Sequence, residues 1–249
     1  DVAEIKLIKK NTPSLDILGI NTYGNISYIK EAINMYDWDK PYIVAEWGPY
    51  GWWEVEKTAW GAAIEETSTE KAKTYEASMK SILSDSTKCL GSYVFLWGQK
   101  QETTSTWFSM FTEEGDETEV MDVIIKGWTG FPPENKAPSI TQFLLQNQIA
   151  RKGLVIQKDS FLRASVTIMD PDGDDIEFIW QIIPESTDKK SGGDKEKSPQ
   201  PIKGIFKKSD YSKIKIIFKL SKSGPYRLFL FAKDGQGNVA TGNIPFLIE

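Results

Sequence analysis

The sequence predicts an α/β layer followed by an all-β sandwich. Three observations predict it. Residues 1–130 alternate helical and strand-like apolar patterns, the order of right-handed βαβ units in a parallel sheet. Residues 130–138 hold three prolines, at Pro132, Pro133 and Pro138, which continue neither a helix nor a central strand. Beyond them, strand-sized alternating runs are separated by turn clusters, the pattern of an immunoglobulin-type sandwich. The expected division is residues 1–131, a linker at 132–138, and a sandwich at 139–249. Tryptophan follows it: of the nine, eight precede residue 130 and only Trp180 follows.

Residues 2–10 place Val2, Ile5, Leu7 and Ile8 roughly on one helical face, and Asn11-Thr12-Pro13-Ser14 ends that helix. Residues 15–21 read as a short strand. Residues 27–36 read as a helix with Ile29, Ala32 and Ile33 inward. Residues 42–46 are β-branched and apolar, the pattern of a parallel strand buried on both faces. A long aromatic loop, 47–68, follows. Thr67 with Glu70 three residues on forms a capping box for a helix to about Ser84. Residues 90–97 read as a third strand, ending at Trp97, and residues 120–128 as a closing helix. In the second part, residues 162–168, 176–182 and 226–231 alternate as strands, and 188–201 is polar and reads as a mobile, solvated loop.

A complete eightfold βα barrel takes about 250 residues, whereas roughly 130 residues here supply three strands. The first part is therefore a small open layer or the last three βα units of a barrel.

Composition narrows the chemistry. The chain has 249 residues, 40% hydrophobic and 26% charged, with a net charge of -5. That balance is globular and does not suit a nucleic-acid partner. No apolar run spans a bilayer. No signal-peptide pattern opens the chain, so a mature form or an excised piece is expected. Histidine is absent, which removes His-dependent triads and zinc-hydrolase sites. The single cysteine, Cys89, reads as a small buried hydrophobe. Carboxylate, tyrosine, lysine and serine chemistry remain, and carboxylates with aromatics suit glycoside hydrolysis better than most alternatives.

Three strand ends share one rim of such a sheet: Asn21-Thr22-Tyr23, Glu46-Trp47-Gly48 and Trp97-Gly98-Gln99. Glu46 is a candidate nucleophile or, in the plainer reading, one half of a structural ion pair. The Tyr23 phenol is placed to orient it, and Trp97 to stack under a sugar. The loop adds Trp47, Trp52, Trp53 and Trp60 as candidate sugar contacts, with about half expected to be packing residues.

The pattern Asn-x-Tyr, then Lys-Pro-x-x-x-x-Glu-x-Gly, then a strand ending in Trp resembles the C-terminal part of the TIM barrel in the glycoside hydrolase clan that includes family 2. The resemblance covers roughly residues 1–130. It implies a retaining glycosidase with Glu46 as nucleophile on the seventh strand, Tyr23 on the sixth and Trp97 on the eighth, and no cofactor. Asn21 joins these as a substrate contact. The family's general acid, an Asn-Glu pair on the fourth strand, has no counterpart upstream of Glu46. Retention needs two carboxyls about 5–5.5 Å apart, and Glu54, Glu56, Glu65, Glu102 and Glu113 lie on loops. The chain alone is therefore expected to be inactive or nearly so, and a non-catalytic carbohydrate-binding or structural module is the competing reading. The expected partner is a carbohydrate; an incomplete barrel also exposes an edge for self-association. The resemblance implies a secreted, periplasmic or cell-surface location.

In the second part, Asp170, Asp172 and Asp174 crowd one turn. They are weak candidates for calcium, against the reading of a polar Asp-Gly hairpin turn. The segment is similar to the PKD-type sandwiches appended to bacterial surface glycosidases.

Overall fold

A computed structural model describes residues 3–190, 193–210 and 212–249. Helix α1 (Ala3–Asn11) leads to strand β1 (Leu18–Asn21); Val2 lies outside the described residues. A 3-10 turn, Ile26–Tyr28, runs into α2 (Ile29–Met35). Strand β2 (Tyr42–Trp47), helix α3 (Ser68–Leu83) and strand β3 (Cys89–Val94) follow. The short β4 (Glu117–Thr118) precedes helix α4 (Glu119–Thr129), which ends on Gly130 in the left-handed conformation. The capping box at α3 is formed in both directions: Thr67 Oγ1 accepts from the Glu70 N–H, and the Glu70 carboxylate accepts from the Thr67 N–H.

Strands β1, β2 and β3 form a parallel sheet in that order. Leu18, Tyr42, Val44 and Trp47 enter one core with Ile29, Ile33, Tyr75, Met79 and Ile124 of the helices. The opposite face stays open, with Gly19, Asn21 and Ala45 exposed and Ile43 and Glu46 half-buried. The expectation of burial on both faces is thus corrected: the helices that bury the sheet cover only one side. Among the described residues β1 and β3 each pair on one side only, and Leu90 and Tyr93 of β3 are exposed. Cys89, expected to be buried, is half-buried because β3 is such a strand. The third strand stops at Val94 rather than Trp97. A closed or partial barrel is not established by three strands.

The second core is a sandwich. One sheet pairs β5 (Ser139–Leu145), β7 (Phe161–Met169) and β9 (Lys215–Lys219) antiparallel. The other runs β8 (Glu177–Pro184), β10 (Gly224–Lys233) and β11 (Asn238–Ile248), with β6 (Val155–Ile156) on β11. Leu162, Trp180, Ile182, Leu228, Leu230 and Phe246 fill the space between the sheets.

The two parts are joined by more than the linker. Strand β4 pairs in parallel with β11, so a sandwich sheet continues into the first part. Ser68 and Thr69, at the start of α3, accept from the Thr241 and Ile140 N–H groups. No described helix is long and apolar enough to cross a membrane.

Candidate functional site

Strand register places the site. Asn21 pairs with Glu46 across β1 and β2, and the Thr22 N–H donates to the Glu46 carbonyl at 2.8 Å. The two strand ends therefore leave the sheet side by side. The Tyr23 hydroxyl donates to Glu46 Oε1 at 2.6 Å, and Asn21 Nδ2 donates to Oε2 at 3.3 Å. Both carboxylate oxygens are thus held, each by a neutral donor. Burial first, then the Glu46 hydrogen bond and charge, pushes the Tyr23 phenol far above its ordinary range, so Tyr23 is a fixed proton donor and not an anion. The ion-pair alternative for Glu46 finds no cation in this arrangement among the described residues.

Gly48 explains why glycine follows Trp47. A Cβ there would lie 2.6 Å from the Phe95 carbonyl oxygen and 3.2 Å from the Tyr23 ring. The bare backbone lets β1, β2 and the exit of β3 converge. Glu54 pins the next turn: it accepts from the Gly24 N–H at 3.1 Å and from the Gly51 N–H at 2.7 Å. Trp53 lies over Gly51, where a Cβ would meet the indole at 2.4 Å.

Around Tyr23 the aromatic rings form a cluster. Trp53 meets Tyr23 edge-on at 5.4 Å, Phe95 does so at 6.4 Å, and Phe108 leans on it at 5.5 Å. Trp52 contacts Trp53 at 5.5 Å. Trp53 is 50% exposed, which leaves ring surface free beside Tyr23. Beyond the rings, Lys100 Nζ stands 5.5 Å over Phe95 and bonds Glu102 at 2.7 Å. The Trp52 indole N–H donates to the other Glu102 oxygen at 3.4 Å. The aromatic cluster around Tyr23 is therefore bordered by a charged pair.

Three of the tryptophans are placed differently from expectation. Trp47 is 0% exposed and packs on Tyr75 at 5.3 Å; the strand's alternation turns it into the helix-covered core, so no sugar reaches it. Trp97 is 58% exposed but stacks on Trp128 at 6.0 Å and meets Phe111 edge-on at 5.4 Å. Because β3 ends at Val94, the ring facing Tyr23 is Phe95. Trp60 is half-buried and makes no ring contact with the Tyr23 cluster among the described residues. Phe95, Phe108 and Lys100 were not anticipated. In the sequence Phe95 reads as a core residue by default, and Phe108 and Lys100 carry no motif.

The loop carboxylates separate clearly. Glu54 is bound to backbone N–H groups, and Glu56 pairs with Lys152 at 2.8 Å. Glu65 lies in a buried network with Lys71, Thr104, Thr106 and Asn243. Glu113 is exposed on a turn. Glu102 borders the Tyr23 cluster, and its partners are both donors.

At the sandwich turn, Asp170, Asp174 and Asp234 present oxygens within 4.8 Å of one another. Asp172 is not in that group; it accepts from the Lys136 N–H at 2.7 Å. Asp170 Oδ1 accepts the N–H groups of Asp172, Gly173 and Asp174, the contacts of a polar turn. Asp170 Oδ2 is buried without a partner.

No family model matches this chain, and no curated protein does. Among solved structures, the PKD1 domain of Vibrio anguillarum Epp aligns over 47% of this chain and 98% of its own at 17% identity, with a TM-score of 0.26. The endo-β-1,4-mannanase of Thermotoga petrophila aligns over 95% of this chain at 12% identity and a TM-score of 0.27; this chain covers 48% of its length. A nucleoside hydrolase-related protein of Saccharophagus degradans associated with carbohydrate metabolism aligns over 53% of this chain and 29% of its own at 17% identity, with a TM-score of 0.31. Similarity this low assigns neither fold nor function, so the functional reading rests on the site.

Proposed function

We propose that this chain carries the nucleophile and part of the glycan cleft of a retaining glycoside hydrolase. The observation that supports it is Glu46, held by Tyr23 on one oxygen and Asn21 on the other, with the half-exposed ring of Trp53 against Tyr23. Such a carboxylate is oriented for attack on an anomeric carbon, and exposed aromatic surface binds the apolar face of a sugar. The resemblance to the family-2 clan places Glu46 at its nucleophile, and a barrel completed by further βα units fits the open sheet face. Residues 1–131 would form the catalytic part and 139–249 an accessory sandwich, in a secreted, periplasmic or cell-surface protein.

A second reading has its own support. Of the described loop candidates for an acid opposite Glu46, Glu54, Glu56 and Glu65 are committed elsewhere, Glu102 is bound to Lys100 and Trp52, and Glu113 is exposed on a turn. On that reading the chain binds carbohydrate without cleaving it.

A 2,4-dinitrophenyl 2-deoxy-2-fluoroglycoside separates the two. Its leaving group departs without protonation, so a nucleophile is trapped even where no acid is present. Gluco, manno and galacto forms, incubated with the full chain, should yield a glycosyl mass adduct on the peptide bearing Glu46, absent in Glu46→Gln. Oligosaccharide binding with no adduct from any of the three would leave the binding module standing instead.

A further inference from the structure

The sandwich loop after residue 188 is Lys-, Gly- and Ser-rich, and its composition reads as solvated. Most of its described residues are indeed exposed, but one carboxylate is not. Glu196 is 4% exposed. Its Oε2 accepts the Thr103 N–H at 2.8 Å, and its Oε1 accepts the Lys190 N–H at 3.1 Å. Asp188 accepts the Lys197 N–H at 2.8 Å. One buried carboxylate thus folds the loop onto itself and ties it to the first part of the chain.

What it ties is the segment bearing the Lys100–Glu102 pair beside the Tyr23 cluster. Residues 102 and 104 exchange backbone hydrogen bonds at 3.0 and 2.6 Å, with Thr103 at the tip. Thr104 is anchored on its far side by Glu65 at 2.6 Å. Lys100 and Glu102 lie at the near end. Gly193 comes so close that a Cβ there would sit 3.7 Å from Lys100 Nζ. Against β8 and residues 198–199, the same segment leaves a void of only 20 Å³, about the room one water needs.

We infer that Gly193 and Glu196, on the described part of this loop, border a glycan cleft at the Glu46 site. By fixing Thr103, Glu196 sets Lys100 and Glu102 as the polar recognition pair of a sugar position beyond the one at Glu46, alongside Trp52. A carboxylate and an ammonium 2.7 Å apart accept from and donate to neighbouring hydroxyls of one neutral sugar. The ligand is accordingly a neutral chain of several sugars, and the sandwich acts as a specificity element. The inference rests on the glycan reading of the Glu46 site. Glu196 is a positioning residue, acting through Thr103.

The test measures affinity against chain length. The full chain, Glu196→Gln and Glu102→Gln are titrated calorimetrically with neutral β-linked gluco-, manno- and galacto-oligosaccharides of one to six sugars. Glu196→Gln puts an amide N–H against one of the two N–H groups its carboxylate now accepts. Both variants should weaken chains of three or more sugars about five- to tenfold, the scale of one lost charge-assisted hydrogen bond. Glu196→Gln should leave monosaccharide affinity unchanged. Lys100→Met removes the cation directly, so the reading does not depend on how the loop tolerates Glu196→Gln. Wild-type affinity at every length in all three variants would overturn the inference while leaving the glycan site intact. An equal loss at every length would overturn it too, as a general distortion. If the unaltered chain binds no member of the panel, the glycan reading itself fails.

Discussion

Trp47 and Trp53 lie six residues apart in sequence and do opposite work. Trp47 fills the core against Tyr75; Trp53 lies on the Gly51 backbone with half its surface in water. Trp47→Ala should destabilise the fold by about 3–5 kcal/mol, as for other buried aromatics. Trp53→Ala should cost under about 1 kcal/mol of stability yet weaken oligosaccharide binding about tenfold. Urea unfolding and calorimetric titration of the two variants check both halves; a Trp47→Ala protein as stable as wild type would contradict its assignment to the core. Glu46, Tyr23 and Asn21 were legible in the sequence because each ends an apolar run, and strand ends of a parallel sheet meet at one rim. Trp97 misled for the same reason. Its run continues apolar to residue 97, whereas pairing stops at Val94, and periodicity does not reveal where hydrogen bonding ends. Phe95 then takes the place beside Tyr23 that the pattern gave to Trp97.

At the scale of elements, helix α3 is the most legible piece and hides the least legible contact. Thr67 and Glu70 announce its start because a capping box is local. Lys71, one position on, reads as a surface residue of that helix. It is instead buried, donating to Glu65 and to the Thr106 carbonyl. Burial alone would raise Glu65, but the Lys71 charge and hydrogen bond, with Thr104 and Arg227, hold its carboxyl below its ordinary value. Asn243 closes the network from β11, and Arg227 links it to Glu185 and the Ala63 carbonyl. Partners nearly two hundred residues apart leave no mark in sequence spacing. Lys71→Met leaves a buried carboxylate without its cation and should cost about 3–5 kcal/mol. Adding Glu65→Gln should return part of that loss, because the remaining donors then face a neutral acceptor. Urea midpoints of the single and double variants give the coupling; simple additivity would mean that the pair does not act together.

At the scale of the whole molecule, Asp122 makes the junction between the two cores sensitive to pH. It sits on the first turn of α4, and its Oδ2 accepts the Ala137 N–H at 3.0 Å, immediately before Pro138. Its Oδ1 is buried without a partner, as is Glu119 Oε2 one turn earlier. Burial, then the Glu119 and Glu117 charges, raises the Asp122 carboxyl to about 7, against the pull of the Ala137 N–H and Lys136. An unfolded aspartate titrates near 3.9. Between about pH 4 and 7 the folded chain therefore binds more protons at this group than the unfolded chain. Its contribution to stability is favourable at the acid end, declines as pH rises through that window, and is a full penalty above pH 7. Asp122→Asn keeps an acceptor for the Ala137 N–H and removes the charge. It should flatten the decline and be more stable than wild type at pH 8, by about 1 kcal/mol once water reaching the carboxyl is allowed for. Because β4–β11 pairing and the Arg227 network cross the junction, the gain should appear in one cooperative transition that includes both cores. Urea midpoints at pH 5, 6, 7 and 8 provide the check. If Asp122→Asn keeps the wild-type slope, the titrating group is Glu119, whose carboxyl burial also raises. If the sandwich unfolds separately at every pH, the junction does not hold the two cores as one unit.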